Sequence, residues 1–244
     1  MFDSCPISDI KALANWDVSR GQDFQYLFRA CECLSSINSL KNWKVSNGKN
    51  FNDMFGRCLL LKDLQGLDYW DVSNGNNFSY MFYGCNSLSN IDSLKNWDVS
   101  NGNNFSSMFE KCTSLLTLKS LENWNVSNGK DFSEMFSNCA SLSNLKGLKK
   151  WNVSNGINFY RMFSECSSLL SLKSLENWNV SNGKDFYAMF AECGLLKNLN
   201  GLENWDVSNG ERFDYMFIYC ESLTNMDAVK YWSLSIEKYN NLTP

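Results

Sequence analysis

The chain has 244 residues and a formal net charge of −4, with Lys and Glu scattered rather than clustered, so it carries no nucleic-acid footprint. Histidine is absent, which removes the commonest general base and metal ligand. No apolar run is long enough to span a bilayer, and neither a nucleophile elbow nor a phosphate loop occurs.

The opening, MFDSCPISDIKALAN, aligns with the second half of a unit that recurs along the rest of the chain: Met1 and Phe2 match Met54 and Phe55, and Cys5 matches Cys31 with one residue lost before Trp16. It lacks the charged start and apolar stretch of a signal peptide. Residues 1–15 are therefore expected to be a partial repeat, either an N-terminal cap or the remainder of an array that continued upstream. From Trp16 onward every Trp stands at a step of 27, through Trp43, Trp70, Trp97 and on to Trp232. A fixed period of this size means a solenoid, in which each unit buries its apolar face only against its neighbours. Eight units span 16–231. The last stretch, 232–244, keeps its Trp but loses the Ser-Asn-Gly and Phe-Met-Phe signals, as a C-terminal cap would.

The unit Trp97 to Asn123 shows what each turn of the solenoid should contain. Phe105, Met108, Phe109 and Cys112 fall at i, i+3, i+4 and i+7, which predicts one face of a short helix of about two turns. Asn104 before it, like Asp23, Asn50, Asn77, Asp131, Asn158 and Asp185, suits an N-cap. The unbroken column from Gly21 to Gly210 predicts a loop with positive φ. Ser114 to Leu121 then reads as a short strand, and Trp124 and Val126 as a second extended segment with both side chains inward. Strands stacked at roughly 4.8 Å would line one face and helices the other.

Eight of the ten cysteines fall on one column, from Cys31 to Cys220, with no CxxC pair. They are read as packed thiols rather than disulfides or metal ligands. The column Asp17, Asp71, Asp98, Asn125, Asn152, Asn179 and Asp206 could stack oxygens toward calcium, but Lys44 interrupts it and calcium loops concentrate their carboxylates. Turn capping is the reading adopted. The Ser-Asn pairs are expected to hold turns by local bonds to the backbone.

Met81 to Asn101, MFYGCNSLSNIDSLKNWDVSN, with its order Met-Phe, Cys, Ser-Leu, Leu, Trp-Asp-Val-Ser-Asn, resembles the BspA-type leucine-rich repeats found in repeat lipoproteins and surface proteins of mycoplasmas and other host-associated bacteria. The resemblance runs from Met1 to about Leu234. Two departures stand out: that family typically has a bulky apolar residue where this chain has Gly75 or Gly102, and commonly Met where it has Phe78 or Phe105. The family's units also tend to be slightly shorter. With the 27-residue period of this chain, the resemblance implies an α/β, leucine-rich-repeat-like solenoid of 27-residue units. It also implies a non-enzymatic recognition module with a protein partner, such as a host surface or matrix protein, at the cell surface or secreted. An intracellular scaffolding role is the alternative, and no cofactor or metal is called for.

A binding surface should use positions the repeat leaves free. On the strand side these are Leu116 and Leu170 in one column, and Asn38, Gln65, Asp92, Lys119, Lys146, Lys173, Asn200 and Asp227 in the next. Lys119, Lys146 and Lys173 form a basic stripe. Tyr26, Tyr80, Tyr83, Tyr160, Tyr187, Tyr215 and Tyr219 should face outward on the helix side.

Overall fold

A computed structural model describes residues 1–232 and 234–242; Ser233 and the last two residues of the expected C-terminal cap lie outside the described residues. The chain winds as a repeat solenoid whose contacts recur at a separation of 27. Isolated parallel bridges run Asp23 to Asn50, Asn50 to Asn77, and onward to Asp185 with Arg212. Inside the stack, Phe105, Met108, Phe109, Cys112, Leu115, Leu118, Leu121, Trp124 and Val126 are all buried, as are their counterparts in neighbouring coils.

The local structure differs from the helix-and-strand expectation. Among the described residues the only α-helix is Ile236–Asn240 and there is no strand longer than an isolated bridge. Over 105–112 the N–H groups of Phe105, Ser107, Phe109 and Lys111 donate to carbonyls of the next coil, at Asp131, Ser133, Met135 and Ser137. The intervening Met108, Glu110 and Cys112 donate three residues back. An α-helix needs all of these donors for its own ladder, so none can form. Ser107 and Lys111 sit at φ 53° and 60°, reversing the chain twice within each coil. The three-residue rhythm continues through Leu115, Leu121 and Trp124, whose N–H groups reach Cys112, Leu118 and Leu121. The apolar spacing is thus a period of three with one extra step, which a helical template matches only locally.

The expected strand likewise ends in a 3-10 turn, at Lys119–Leu121, Lys146–Leu148 and Lys173–Leu175. Most inter-coil backbone bonds lie on the side where the helix was expected; where the strand was expected they are few, such as Leu170 N–H to the Ser143 carbonyl at 3.2 Å, and the regular turns stand instead.

Aromatic ladders bind the coils. Trp124 stacks on Trp97 and Trp151 at 6.4 and 6.3 Å with planes within 4°. Phe105 and Phe109 each stack on their counterparts one coil on at 5.7 Å. The polar tips are satisfied across the junctions: the Trp124 indole N–H donates to the Leu94 carbonyl at 2.9 Å, and the Cys112 thiol to that of Phe82 at 3.3 Å. Burial is favourable here because no buried donor in these ladders loses its partner.

None of the glycines from Gly21 to Gly210 in the column has positive φ. The constraint is space instead. A Cβ on Gly102 would lie 2.3 Å from Cζ of Phe105 and 2.9 Å from the Val99 carbonyl oxygen. The Phe ring occupies the volume a side chain would need. The Ser-Asn pairs also act differently from the expected local bonds: Asn101 Nδ2 donates to the Ser73 carbonyl of the preceding coil at 2.7 Å, and Asn128 Nδ2 to that of Ser100 at 2.8 Å.

All ten cysteines are thiols. Burial pushes Cys85 and Cys166 up to about 12 and Cys31 and Cys220 up to about 11, so these remain protonated and unreactive. A thiol reagent added to native protein near neutral pH is expected to modify exposed Cys33 at once and half-buried Cys5 more slowly, and all ten only after denaturation. A native count above these two would mean that the column is not packed as described.

Candidate functional site

Each coil presents its variable residue at the start of a turn built by a side chain two positions earlier. The backbone N–H of Lys119 is held by Thr117 Oγ1 at 3.2 Å, that of Lys146 by Asn144 Oδ1 at 3.2 Å, and that of Lys173 by Ser171 Oγ at 3.2 Å. Short polar side chains that bond the backbone two residues on are turn initiators, and here they fix three lysines at one offset in successive coils. All three side chains are exposed.

Together with Thr117, Asn144, Ser171, Ser174, Glu122, Lys149 and Glu176 they line a groove of about 740 Å³. Four ammonium groups there face two carboxylates. Lys173 pairs with Glu176 at 2.7 Å, and Lys149 reaches the same carboxylate at 3.5 Å. The hydrogen bond from Lys173 holds the Glu176 carboxyl below its ordinary range and raises the Lys173 ammonium above its own. Among the described residues, neither Lys119 nor Lys146 has a carboxylate within ion-pair distance. Leu116 and Leu170, 59% and 54% exposed, stand one column away. The groove is therefore suited to a ligand with negative charges along its length and apolar groups at one side.

The other candidates lie on the same column but not in this groove. Asp92 starts the turn Asp92–Leu94 and accepts the Ser120 hydroxyl at 2.5 Å. Asn38 and Asp227 start the turns Asn38–Asn42 and Asp227–Val229. Gln65 and Asn200 precede Gly66 and Gly201, which at φ 108° and 112° replace the 3-10 turn with a different bend. Asn200 and Asp227 line a separate depression with Lys197 and Glu221.

On the opposite side, Tyr26, Tyr80, Tyr215 and Tyr219 are exposed, while Tyr83, Tyr160 and Tyr187 are half-buried. Tyr160 and Tyr187 stack at 5.3 Å with Arg212 over the second ring. The acidic column beside the Trp ladder caps turns: Asp98 Oδ1 accepts the Ser100 N–H at 2.9 Å, and Asp71, Asn125 and Asp206 do the same in their coils.

A second depression, of about 330 Å³, is lined by Arg29, Asp53, Arg57, Tyr80 and Tyr83. Asp53 Oδ1 is buried there with no hydrogen-bond partner among the described residues, and Arg29 stands 3.9 Å from Oδ2. Burial raises the Asp53 carboxyl to about 6 against 3.8 when unfolded, despite the opposing pull of Arg29 and Arg57. Between these values the folded chain holds more proton at this group than the unfolded one, so unfolding free energy falls as pH rises through the window. Asp53→Asn is expected to remove about 1–2 kcal/mol of stability loss between pH 4 and 7, the shift being discounted for solvent screening. Urea titrations of both proteins at the two pH values measure this; parallel pH dependences would show that Asp53 is well solvated.

A family model described as "Mycoplasma protein of unknown function, DUF285" matches residues 1–116, 60–172, 89–199 and 144–242. No curated protein matches the chain. Among solved structures it is similar to a leucine-rich repeat protein from Bacteroides ovatus ATCC 8483, at 17% identity and a TM-score of 0.34 over 85% of this chain. It spans 64% of that protein's length, less than two thirds. A leucine rich cell surface protein from Faecalibacterium prausnitzii A2-165 is similar at 15% identity and a TM-score of 0.33, covering 91% of this chain and 72% of that one.

Proposed function

Because the chain belongs to the DUF285 family of mycoplasma proteins and folds as a repeat solenoid, we propose that it is a non-enzymatic recognition module that grips an acidic segment of a protein partner in its lysine groove. In this reading each 27-residue unit, in the stretch 16–231, is one coil, with 1–15 a partial repeat before it and 232–244 a degenerate one after it. The module serves as a cell-surface adhesin, its partner a host surface or matrix protein. The observation that carries the reading is the convergence of Lys119, Lys146 and Lys173 on one groove, two of them without a carboxylate partner among the described residues. Unpaired cations aligned at a fixed step give orientation and association rate to an acidic ligand. Leu116 and Leu170 supply apolar contact beside them, and Asn38, Gln65, Asp92, Asn200 and Asp227 extend the face to either side. No helix among the described residues is long and apolar enough to cross a membrane.

Lys119→Glu with Lys146→Glu leaves the Lys173–Glu176 pair in place and should not unfold the array. Binding to host cells and matrix proteins is expected to drop roughly ten- to hundredfold, and the residual binding to lose its salt dependence. Unchanged binding would move the site elsewhere on the solenoid. The surface reading fails if native protein on intact cells resists added protease that digests it after lysis. A scaffold inside the cell would then be the better account, and the thiols that each donate to a carbonyl of the preceding coil favour that alternative.

A further inference from the structure

Asn–Gly occurs eight times: seven times in the column from Asn47–Gly48 to Asn209–Gly210, and once outside it at Asn200–Gly201. This dipeptide can modify itself. The glycine nitrogen attacks the asparagine Cγ, a C–N bond forms, and the side-chain amide C–N bond breaks. Ammonia leaves with the glycine proton. Water then opens the resulting succinimide to aspartate or isoaspartate. The reaction needs a glycine nitrogen that can give up its proton and an asparagine side chain able to turn toward it.

In the column both requirements are blocked. Gly129 N–H donates to the Val126 carbonyl at 2.8 Å, and Asn128 Nδ2 is held on the Ser100 carbonyl of the preceding coil at 2.8 Å. The same two bonds recur at 2.8 and 2.7 Å in the next-but-one coil, at Gly183 and Asn182. Attack there requires the junction to open, and such opening carries a free-energy cost.

Asn200–Gly201 is built differently. Asn200 is exposed, and its side chain makes no hydrogen bond among the described residues. Gly201 lies at φ 112°, and its N–H donates to the Glu203 carboxylate at 2.7 Å. That carboxylate is placed to take the proton as the nitrogen attacks. We propose that Asn200–Gly201 is a self-modification site primed by Glu203, in a chain whose seven other Asn–Gly pairs are locked by the stack. The fold supplies its own comparison: Gly66 has nearly the same φ, 108°, and the same kind of contact, to Asp68 at 3.1 Å, but Gln65 precedes it, and glutamine would have to close a larger ring. The product places a new carboxylate one coil beyond Lys173, on the face read above as the docking surface.

The test tracks ammonia loss and isoaspartate at each Asn–Gly by peptide mapping of the full chain held in mildly alkaline buffer, with and without concentrated urea. Native protein should modify Asn200 on the order of tenfold or more faster than any column asparagine, and urea should bring all eight to similar rates. Glu203→Gln, which keeps an acceptor for the Gly201 N–H, should slow Asn200 in native buffer and leave its rate in urea unchanged. Column sites that keep pace with Asn200 in the folded protein would overturn the proposal, as would an Asn200 that is stable there. A native rate indifferent to Glu203→Gln would remove Glu203 from it. None of these readouts involves a partner, so they stand or fall separately from the lysine groove.

Discussion

Replacing Trp151 by alanine is expected to lower the unfolding free energy by about 3–5 kcal/mol, the range for truncating a large buried aromatic. The ring is 3% exposed and stacks on Trp124 and Trp178 at 6.3 and 6.5 Å, so its removal breaks the ladder on both sides. It also takes one of two donors from the Leu121 carbonyl, which receives the indole N–H at 2.9 Å and keeps the Trp124 N–H at 3.1 Å. Trp151→Phe separates these effects, since it keeps most of the stacked area and loses the donor, at a cost of about 1–3 kcal/mol. Trp16, 43% exposed, should tolerate alanine far better. Urea unfolding followed by circular dichroism measures all three. Equal losses at Trp16 and Trp151 would mean that the interior ladder adds nothing to the coil junctions.

Gly129→Val should cost about 3 kcal/mol, because a Cβ there would sit 2.4 Å from Cζ of Phe132 and 3.0 Å from the Val126 oxygen in a packed interior. Phe132→Met alone should cost about 1–2 kcal/mol through lost burial and stacking. Joined, the two are expected to recover at least about 2 kcal/mol relative to their sum, a coupling typical of residues that compete for one space. Additive losses would show that the glycine answers to the backbone after all. The pairing also accounts for both departures from the BspA-type pattern. Here the Phe ring fills the volume that a side chain on the glycine would take, so a bulky residue in place of the glycine requires a smaller one in place of the Phe, and the two differences are one exchange.

That exchange shows where reading the sequence stops. The identity of the buried columns was plain from recurrence, since Phe105, Cys112, Leu118 and Trp124 and their counterparts cannot all be solvated in every coil. The reason for Gly102 was not, because an invariant glycine fits both positive φ and close packing, and only the position of the Phe105 ring distinguishes them. The helix expected over Phe105 to Cys112 failed for a related reason. Spacing describes which side chains turn inward but not where the backbone donors go, and here alternate donors leave the coil. The lysine stripe was visible as three equal offsets, whereas the groove depends on turns begun by Thr117, Asn144 and Ser171. That signal lies in the sequence, in short polar residues two places before each lysine, but it competes with a strand pattern over the same stretch. Gln65 and Asn200 could be separated from the stripe beforehand only by the glycine after each.

The bonds from Phe105, Ser107, Phe109 and Lys111 to the next coil also decide how the molecule answers a pull. They join each coil to its neighbour and none beyond it, so tension between the two ends loads the junctions in series. One coil can peel away while the rest hold, releasing roughly 90 Å of slack for its 27 residues at about 3.3–3.6 Å each. Its ladders re-form when the load is lifted. Under tension an array of this build is expected to lengthen in discrete steps, one coil at a time, while the remaining coils stay folded.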